Sequence, residues 1–149
     1  MTTARDIMSK KMITIESDVP ALEIAKLMDK NMVSSIVVTT EGKPCGIISE
    51  RDLVSKVVAQ NRKPAEIKTT DLMSHPLVLV SPLTPVEEVA EKMVSNRIRR
   101  LVVSDDKQAL GIITVTDFVK HLHSLLASEE DYNKNLYRDM IEDWEYWAS

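Results

Sequence analysis

Apolar residues along the chain follow one pattern twice. Apolar residues recur at helical spacing over Ala21–Met28 in the first copy and over Val86–Met93 in the second. Two continuous apolar runs follow each of these segments, and a polar stretch, TTEGK or SDDKQ, joins the runs, which favours a β-hairpin. A second amphipathic segment ends each copy, and a short apolar run near Met12–Ile15 or Leu77–Val80 begins it. The pattern predicts the element order β-α-β-β-α in each copy.

A register without gaps relates the two copies. When residue 6 is laid on residue 71, matching residues recur over about fifty positions, and the period exceeds that of solenoid repeats. The identities include Asp6/Asp71, Met8/Met73, Ser9/Ser74, Pro20/Pro85, Gly46/Gly111 and Asp52/Asp117. Each copy is too short to cover its own sheet. We therefore predict an α/β (α+β) fold in which two half-domains pack sheet to sheet through a pseudo-twofold axis.

Capping signals and composition place the boundaries of these parts. Thr84 is predicted as an N-cap, Pro85 as the first helical residue and Glu87 as the acid of a capping box. Pro20 opens the matching helix of the first copy. The predicted hairpin strands are Ser35–Thr39, Cys45–Ile48, Leu101–Val103 and Ala109–Ile113. The predicted parts are half-domains over residues 1–60 and 71–127, a polar linker over 61–70 and a C-terminal amphipathic helix over 128–149.

The heptapeptides GIISERD and GIITVTD use two of the three glycines in the chain. In each, a buried strand is predicted to end at a hydroxyl residue, Ser49 or Thr114, and an acid, Asp52 or Asp117, falls in the first turn of the next helix. An isolated G-h-h-[ST]-x-x-D pattern (h, apolar) is most often a helix-capping box. Two copies in register favour a binding element instead. A carboxylate suits the hydroxyls of a ribose, while hydroxyls and helix N–H groups suit a phosphate.

With these repeats the sequence resembles a pair of cystathionine-β-synthase (CBS) domains in tandem, an arrangement called a Bateman module. The resemblance covers roughly residues 3–123 and rests on DIMSKKMITIESDVPALEIAKLM, SSIVVTTEGKPCGIISERD, DLMSHPLVLVSPLTPVEEVAEKM and RIRRLVVSDDKQALGIITVTD. It implies a sensor that binds an adenosine-containing ligand, namely AMP, ADP, ATP or S-adenosylmethionine, in clefts between the two repeats. The resemblance implies that such a sensor requires no resident cofactor.

In this family the aspartate of the heptapeptide takes the ribose hydroxyls and the Ser/Thr lies by the phosphates. Carried over to this sequence, the resemblance assigns Asp117 and Thr114 to one site and Asp52 and Ser49 to the other. It also places beside the adenine the hydroxyl that follows D-h-M and the start of the second strand. These further positions are Ser9, Ser74, Val33, Ser34, Ser35, Ile98, Arg99 and Arg100.

Arginines distinguish the second copy from the first. Arg99 and Arg100 point to opposite faces of their strand, so one of them can reach a phosphate with its guanidinium fork. The first copy offers serines at these positions, although Arg51 in SERD adds charge. We therefore predict that the second copy forms the better phosphate-bearing site. The alternative for these arginines is a solvated strand edge.

Charge and composition narrow the function classes. The formal net charge is −4. Residues 1–123 hold 17 basic and 16 acidic side chains, and residues 124–149 hold two basic and seven acidic ones. Neither part therefore has the basic excess typical of nucleic-acid binding. The chain has no apolar run long enough for a membrane span, and a single cysteine suits a reducing compartment, so we expect a cytoplasmic protein. Neither a G-x-G-x-x-G motif nor a P-loop is present. His75, His121 and His123 lack metal-ligand spacing and Cys45 lacks a neighbouring base, which argues against an enzyme and against a metal site.

Both tryptophans and all three tyrosines fall in residues 132–149. Tyr132, Leu136, Met140 and Trp144 recur every four residues, which predicts an amphipathic helix with an aromatic face. Three interpretations remain open for this face: packing on its own module, packing across a homodimer, and docking of a protein partner. The leading hypothesis is a nucleotide sensor. The alternative is a ligand-free scaffolding module that docks a partner protein through this helix.

Overall fold

The computed structural model describes residues 1–74, 77–106, 108–126 and 141–142. In chain order the first elements are α1 (Ala4–Ile7), β1 (Thr14–Glu16), α2 (Ala21–Asn31), β2 (Ser35–Thr40), β3 (Lys43–Ser49), α3 (Glu50–Leu53) and a π-helical turn (Val54–Val58). Then follow a 3₁₀ turn (Pro64–Glu66), α4 (Thr69–Leu72), β4 (Leu79–Val80), α5 (Val86–Ser95), β5 (Arg100–Ser104), β6 (Ala109–Thr114) and α6 (Val115–Leu126). The order β-α-β-β-α is confirmed in both copies, and the fold is mixed α/β.

Two three-stranded sheets carry the fold, with orders β1-β2-β3 and β4-β5-β6. In each sheet the first strand is parallel to the second, as a strand–helix–strand crossover requires. Strands β2 and β3 form the predicted antiparallel hairpin. Its turn is the pair Glu41 and Gly42, both with positive φ (53° and 80°), which is the turn that matches the twist of a two-residue hairpin.

The chain groups into two compact units that do not coincide with the sequence repeats. The repeat-1 unit contains Lys11–Val78 and Asp105–Ala109. The repeat-2 unit contains Met1–Lys10, Leu79–Ser104 and the described residues from Leu110 onward. The segment that leads the first repeat, residues 2–9, therefore belongs to the repeat-2 unit. The segment that leads the second repeat, residues 67–74, belongs to the repeat-1 unit.

In the repeat-1 unit, the leading segment of the second repeat closes the start of α2. The N–H of Ala21 donates to the carbonyl oxygen of Ile67 at 2.9 Å, and the N–H of Thr69 donates to that of Val19 at 3.2 Å. The first N–H groups of a helix have no partner within the helix, so an outside acceptor is needed. Residues 61–70, which include part of this segment, carry the 3₁₀ turn and the start of α4.

In the repeat-2 unit, the leading segment of the first repeat does the same for α5. The N–H of Val86 donates to the carbonyl oxygen of Thr2 at 3.1 Å, and the N–H of Ala4 donates to that of Thr84 at 2.8 Å. Pro85 is the N-cap, and no side chain caps the helix. The prediction of Thr84 as the cap is wrong, because a main-chain carbonyl from the other repeat supplies the acceptor that a side-chain cap would otherwise provide.

Apolar side chains from both repeats fill the cores of the units. The core of the repeat-1 unit consists of Ala21, Ile24, Met28, Ile36, Val38, Ile48, Val57, Ile67 and Leu72. The last two belong to the leading segment of the second repeat, and burying two such side chains contributes about 3–6 kcal/mol. In the repeat-2 unit the buried apolar residues are Ala4, Val80, Val89, Met93, Leu101, Val102, Val103, Ile112 and Ile113. The exchanged segments are thus integral parts of each core.

The aromatic helix predicted over 128–149 lies outside the described residues, apart from Ile141 and Glu142, which are helical. Among the residues that the structure describes, no helix combines the length and the hydropathy needed to cross a bilayer.

Candidate functional site

The leading segments bring each hydroxyl that follows D-h-M to the heptapeptide of the other repeat. Ser9 and Ile112 exchange main-chain hydrogen bonds, with N···O distances of 2.9 and 3.0 Å. Ser74 and Ile47 form the equivalent pair in the repeat-1 unit, at 2.9 and 3.4 Å. The predicted residues therefore fall into two sets. One set is Ser9 with Ile98, Arg99, Arg100, Thr114 and Asp117, and the other is Ser74 with Val33, Ser34, Ser35, Ser49, Arg51 and Asp52.

The glycine that opens each heptapeptide packs directly against the leading segment of the other repeat. A Cβ on Gly111 would stand 2.7 Å from the carbonyl oxygen of Ser9 and 2.8 Å from Met8 Sδ. A Cβ on Gly46 would stand 2.6 Å from Met73 Sδ. A residue other than glycine would displace the segment that carries the hydroxyl. The glycine of the motif is thus explained by close packing within the protein.

Asp117 is held at the junction of β6 and α6. Its Oδ2 accepts hydrogen bonds from the N–H of Thr114 at 2.7 Å and from its hydroxyl at 3.1 Å. Of the residues that the structure describes, only Thr114 donates hydrogen bonds to this carboxylate. Burial raises the pKa of Asp117, and it outweighs the opposing effects of Thr114 and of the Lys120 charge. The ionised carboxylate is therefore incompletely solvated and would gain from further hydrogen-bond donors.

Asp6 shows that burial, and not capping, distinguishes Asp117. Its Oδ2 accepts the same two hydrogen bonds, from the N–H of Thr3 at 2.8 Å and from its hydroxyl at 3.1 Å. Asp6 is exposed, and there these bonds lower its pKa. Both acids serve a helix start, so the capping contact is present in the heptapeptide as well. Capping occupies Oδ2 and is compatible with a ligand on the remaining oxygen.

Asp52 is held in the same way, with one addition. Its Oδ2 accepts hydrogen bonds from the N–H and hydroxyl of Ser49, at 2.8 and 3.1 Å, and its own N–H donates back to the Ser49 hydroxyl. The other oxygen, Oδ1, lies 3.2 Å from the ammonium of Lys56. That ammonium also donates to the carbonyl oxygen of Leu72 at 2.8 Å. The protein itself therefore supplies a cation to this carboxylate.

The start of the second strand lies beside each heptapeptide. The first N–H of α3, from Glu50, donates to the carbonyl oxygen of Ser34 at 2.9 Å. The first N–H of α6, from Val115, donates to that of Arg99 at 3.1 Å. Arg99 is exposed and Arg100, the first residue of β5, is half-buried, as their opposite directions require. Arg51 is exposed on α3, and the flanking positions Val33 and Ile98 are half-buried.

Sequence reasoning assigned no part in the sites to Lys56, Met8 or Met73. Lys56 had a visible signal, since opposite charges four residues apart on a helix pair readily. The two methionines had none, because their contacts with Gly111 and Gly46 cross from one repeat to the other. Within the described residues, no group of three or more His, Cys, Asp or Glu side chains converges as a metal site would require. His75 lies outside those residues.

Known proteins are similar to this chain in sequence and in fold. The CBS domain family model matches residues 4–59 and again residues 70–124. An uncharacterised protein of Methanopyrus kandleri is 35% identical over 137 residues, which are 91% of this chain and 70% of that protein. The CBS domain pair of protein MJ0100, in complex with 5′-methylthioadenosine and S-adenosyl-L-methionine, matches with a TM-score of 0.73 and 30% identity over 83% of this chain and 98% of that chain.

A second solved structure matches over the whole length. The hexameric CBS-CP12 protein from bloom-forming cyanobacteria has a TM-score of 0.72 and 27% identity, and the match covers 100% of both chains. The family model accounts for most of the present chain and occurs twice, in the register of the repeat. The chain therefore belongs to the CBS domain family and carries two CBS domains in tandem.

Proposed function

We propose that this chain is a regulatory module, and not an enzyme, which binds an adenosine-containing ligand at the Asp117 site. The observation that carries the proposal is the partly buried Asp117, which Thr114 holds on one oxygen, in a heptapeptide whose Ile112 pairs with Ser9 of the other repeat. Binding of 5′-methylthioadenosine and S-adenosyl-L-methionine by the CBS pair of MJ0100 supports this class of ligand. AMP, ADP, ATP and S-adenosylmethionine are the candidates.

Each group at the site has a chemical role in this proposal. The two ribose hydroxyls donate to the Asp117 carboxylate, which replaces hydrogen bonds that burial has removed. The N–H groups that follow Val115 at the start of α6 face the 5′ substituent, and Thr114 lies beside it. Ser9 and the strand start at Ile98, Arg99 and Arg100 line the adenine, and one arginine also reaches the phosphate. The second candidate site uses Ser74, Val33, Ser34, Ser35, Ser49, Arg51 and Asp52 in the same roles.

The signal that leaves the module is a change in assembly. Ligand binding shifts the protein toward whichever arrangement binds the ligand more tightly, by no more than the difference in affinity. We propose that the module acts as a cytoplasmic homodimer. The hexameric state of the CBS-CP12 protein shows that a similar chain assembles with itself.

Calorimetric titration with AMP, ADP, ATP and S-adenosylmethionine tests this function, and 2′-deoxy-AMP is the matched ligand control. We expect at least one adenosine compound to bind. Removal of the 2′-hydroxyl should weaken AMP binding about tenfold or more, as expected for a lost hydrogen bond to a charged acceptor. Asp117→Asn should remove binding. Asp6→Asn loses an equivalent capping carboxylate and should bind as the unaltered chain does. Absence of binding by all four ligands would refute the proposal.

The aromatic residues within 132–149 favour a second candidate function, a scaffold that docks a protein partner. A chain that ends at Leu126 discriminates between the two. If the protein is a scaffold, the truncated chain loses its partner or its assembly state, and none of the nucleotides binds. If it is a sensor, the truncated chain still binds the adenosine ligand.

A further inference from the structure

The two heptapeptides hold their aspartates alike but differ one helical turn later. Lys56 follows Asp52 by four residues, and His121 follows Asp117 by the same interval. Residues at this spacing share one face of a helix. Lys56 forms an ion pair with Asp52 at 3.2 Å. In the part of the chain that the structure describes, Asp117 forms no such pair.

Lys56 is fixed from two sides. Besides Asp52, its ammonium bonds to the carbonyl oxygen of Leu72, which is fully buried in the core of the repeat-1 unit. Leu72 ends α4 in the leading segment of the second repeat, two residues before Ser74. The Asp52 side chain is 15% exposed and the Lys56 side chain is 41% exposed, so this pair is partly shielded from solvent. The lysine thus stands in an ordered position between the heptapeptide and the segment that crosses it.

We propose that Lys56 is an internal cation that closes the Asp52 site, so that each chain binds one adenosine-type ligand, at the Asp117 site. This inference rests on the proposed function. Ser49 occupies one carboxylate oxygen of Asp52 and Lys56 occupies the other, so a sugar must displace the ammonium to reach it. At Asp117 the Lys120 charge acts on the carboxylate, but no cation among the described residues forms an ion pair with the oxygen that Thr114 leaves. The residue four positions after the aspartate therefore decides which of two otherwise similar sites accepts a ribose.

The opposite role for Lys56, as a phosphate ligand, makes a different prediction. A phosphate would have to draw the ammonium from both Asp52 and Leu72. If that happened, a neutral residue at position 56 would weaken AMP binding and leave adenosine binding unchanged. If Lys56 closes the site, the same substitution opens it to adenosine and AMP alike. Adenosine and AMP together therefore separate the two roles.

The test is calorimetric titration of the full chain with adenosine and with AMP. The unaltered chain should bind one equivalent of each. Lys56→Met should bind two, and Asp52→Asn in that background should return the stoichiometry to one. His121→Lys, which places an ammonium four residues after Asp117, should weaken binding about tenfold or more. Lys26→Met removes an exposed lysine that pairs with Glu23 at 3.7 Å, and it should leave one site of unchanged affinity.

Each other outcome has a definite meaning. Two equal sites in the unaltered chain overturn the inference. A stoichiometry of one in Lys56→Met, together with unchanged affinity in His121→Lys, also overturns it. In that case the proposed function survives if Asp117→Asn still abolishes binding. The His121→Lys arm remains decisive even if Lys56→Met unfolds through loss of the Leu72 contact. No binding of adenosine or AMP by either the unaltered chain or Lys56→Met overturns both proposals.

Discussion

The carbonyl oxygen of Ser9 lies over Gly111 at a distance that excludes any side chain, since a Cβ on Gly111 would stand 2.7 Å from it. Ser9 and Gly111 belong to different repeats but to the same compact unit. The glycine of the heptapeptide therefore has its main role in joining the repeats. The main chain of Ser9 can pair with Ile112 of the other repeat because position 111 has no side chain.

Gly111→Ala should destabilise the protein more than Gly46→Ala. At Gly111 the new methyl meets a main-chain oxygen that cannot rotate away, whereas at Gly46 it meets the side chain of Met73. Overpacking of this kind costs about 1–3 kcal/mol. Denaturant unfolding measures both changes. Met73→Ala should relieve much of the Gly46→Ala penalty, and Met8→Ala should leave the Gly111→Ala penalty largely in place. Equal relief in the two pairs would contradict this account.

Asp117→Asn and Asp6→Asn should change stability with pH in opposite senses. The folded pKa of Asp117 is raised, so its favourable contribution is present below the unfolded value of 3.8 and is lost as the pH rises through the folded pKa. Asp117→Asn should therefore gain in relative stability as the pH rises through that range. The pKa of Asp6 is lowered, so its contribution is present above 3.8 and is lost as the pH falls through the folded pKa. Thermal unfolding across this pH range measures both, and parallel behaviour of the two variants would be inconsistent with the burial of Asp117.

Glu16→Ala should loosen the β2–β3 hairpin. Its carboxylate accepts hydrogen bonds from the hydroxyl of Thr39 at 2.9 Å and from the N–H groups of Glu41 and Gly42, both at 3.1 Å. These bonds lower its pKa, so the stabilisation is present above 4.5 and is lost as the pH falls through the folded pKa. Amide exchange of Glu41 and Gly42 measures the loosening. Glu23→Ala, on the surface of α2, is the control and should leave that exchange unchanged.

Deletion of Thr2–Ser9 should damage the repeat-2 unit. It removes the acceptor for the Val86 N–H, the buried side chain of Ala4 and the partner of Ile112. We expect a lower unfolding temperature and loss of AMP binding at the Asp117 site. Addition of a peptide with the sequence of Met1–Lys10 should restore part of both. Unchanged AMP affinity in the shortened chain would show that Ser9 takes no part in binding.

Local periodicity was sufficient to predict the order of elements and the location of both heptapeptides. Ser49, Asp52, Thr114 and Asp117 stand where strand–helix junctions were expected. The exchange of leading segments was not predictable in this way, because its hydrogen bonds join residues far apart in sequence. The cap at Thr84 was wrong for the same reason. The partial burial that separates Asp117 from Asp6 depends on three-dimensional packing, and the tail lies outside the described residues.

The exchanged leading segments bear on how such a protein arises. A peptide that contained one repeat alone would lack the strip of main chain that seals the start of its own helix. It would find that strip only in a second molecule, as domain-swapped dimers do. When two copies are joined in one polypeptide, the exchange of segments becomes intramolecular, and each segment is present at high effective concentration. Gene duplication would then have made intramolecular a contact between leading segment and helix that two separate chains could form only by associating.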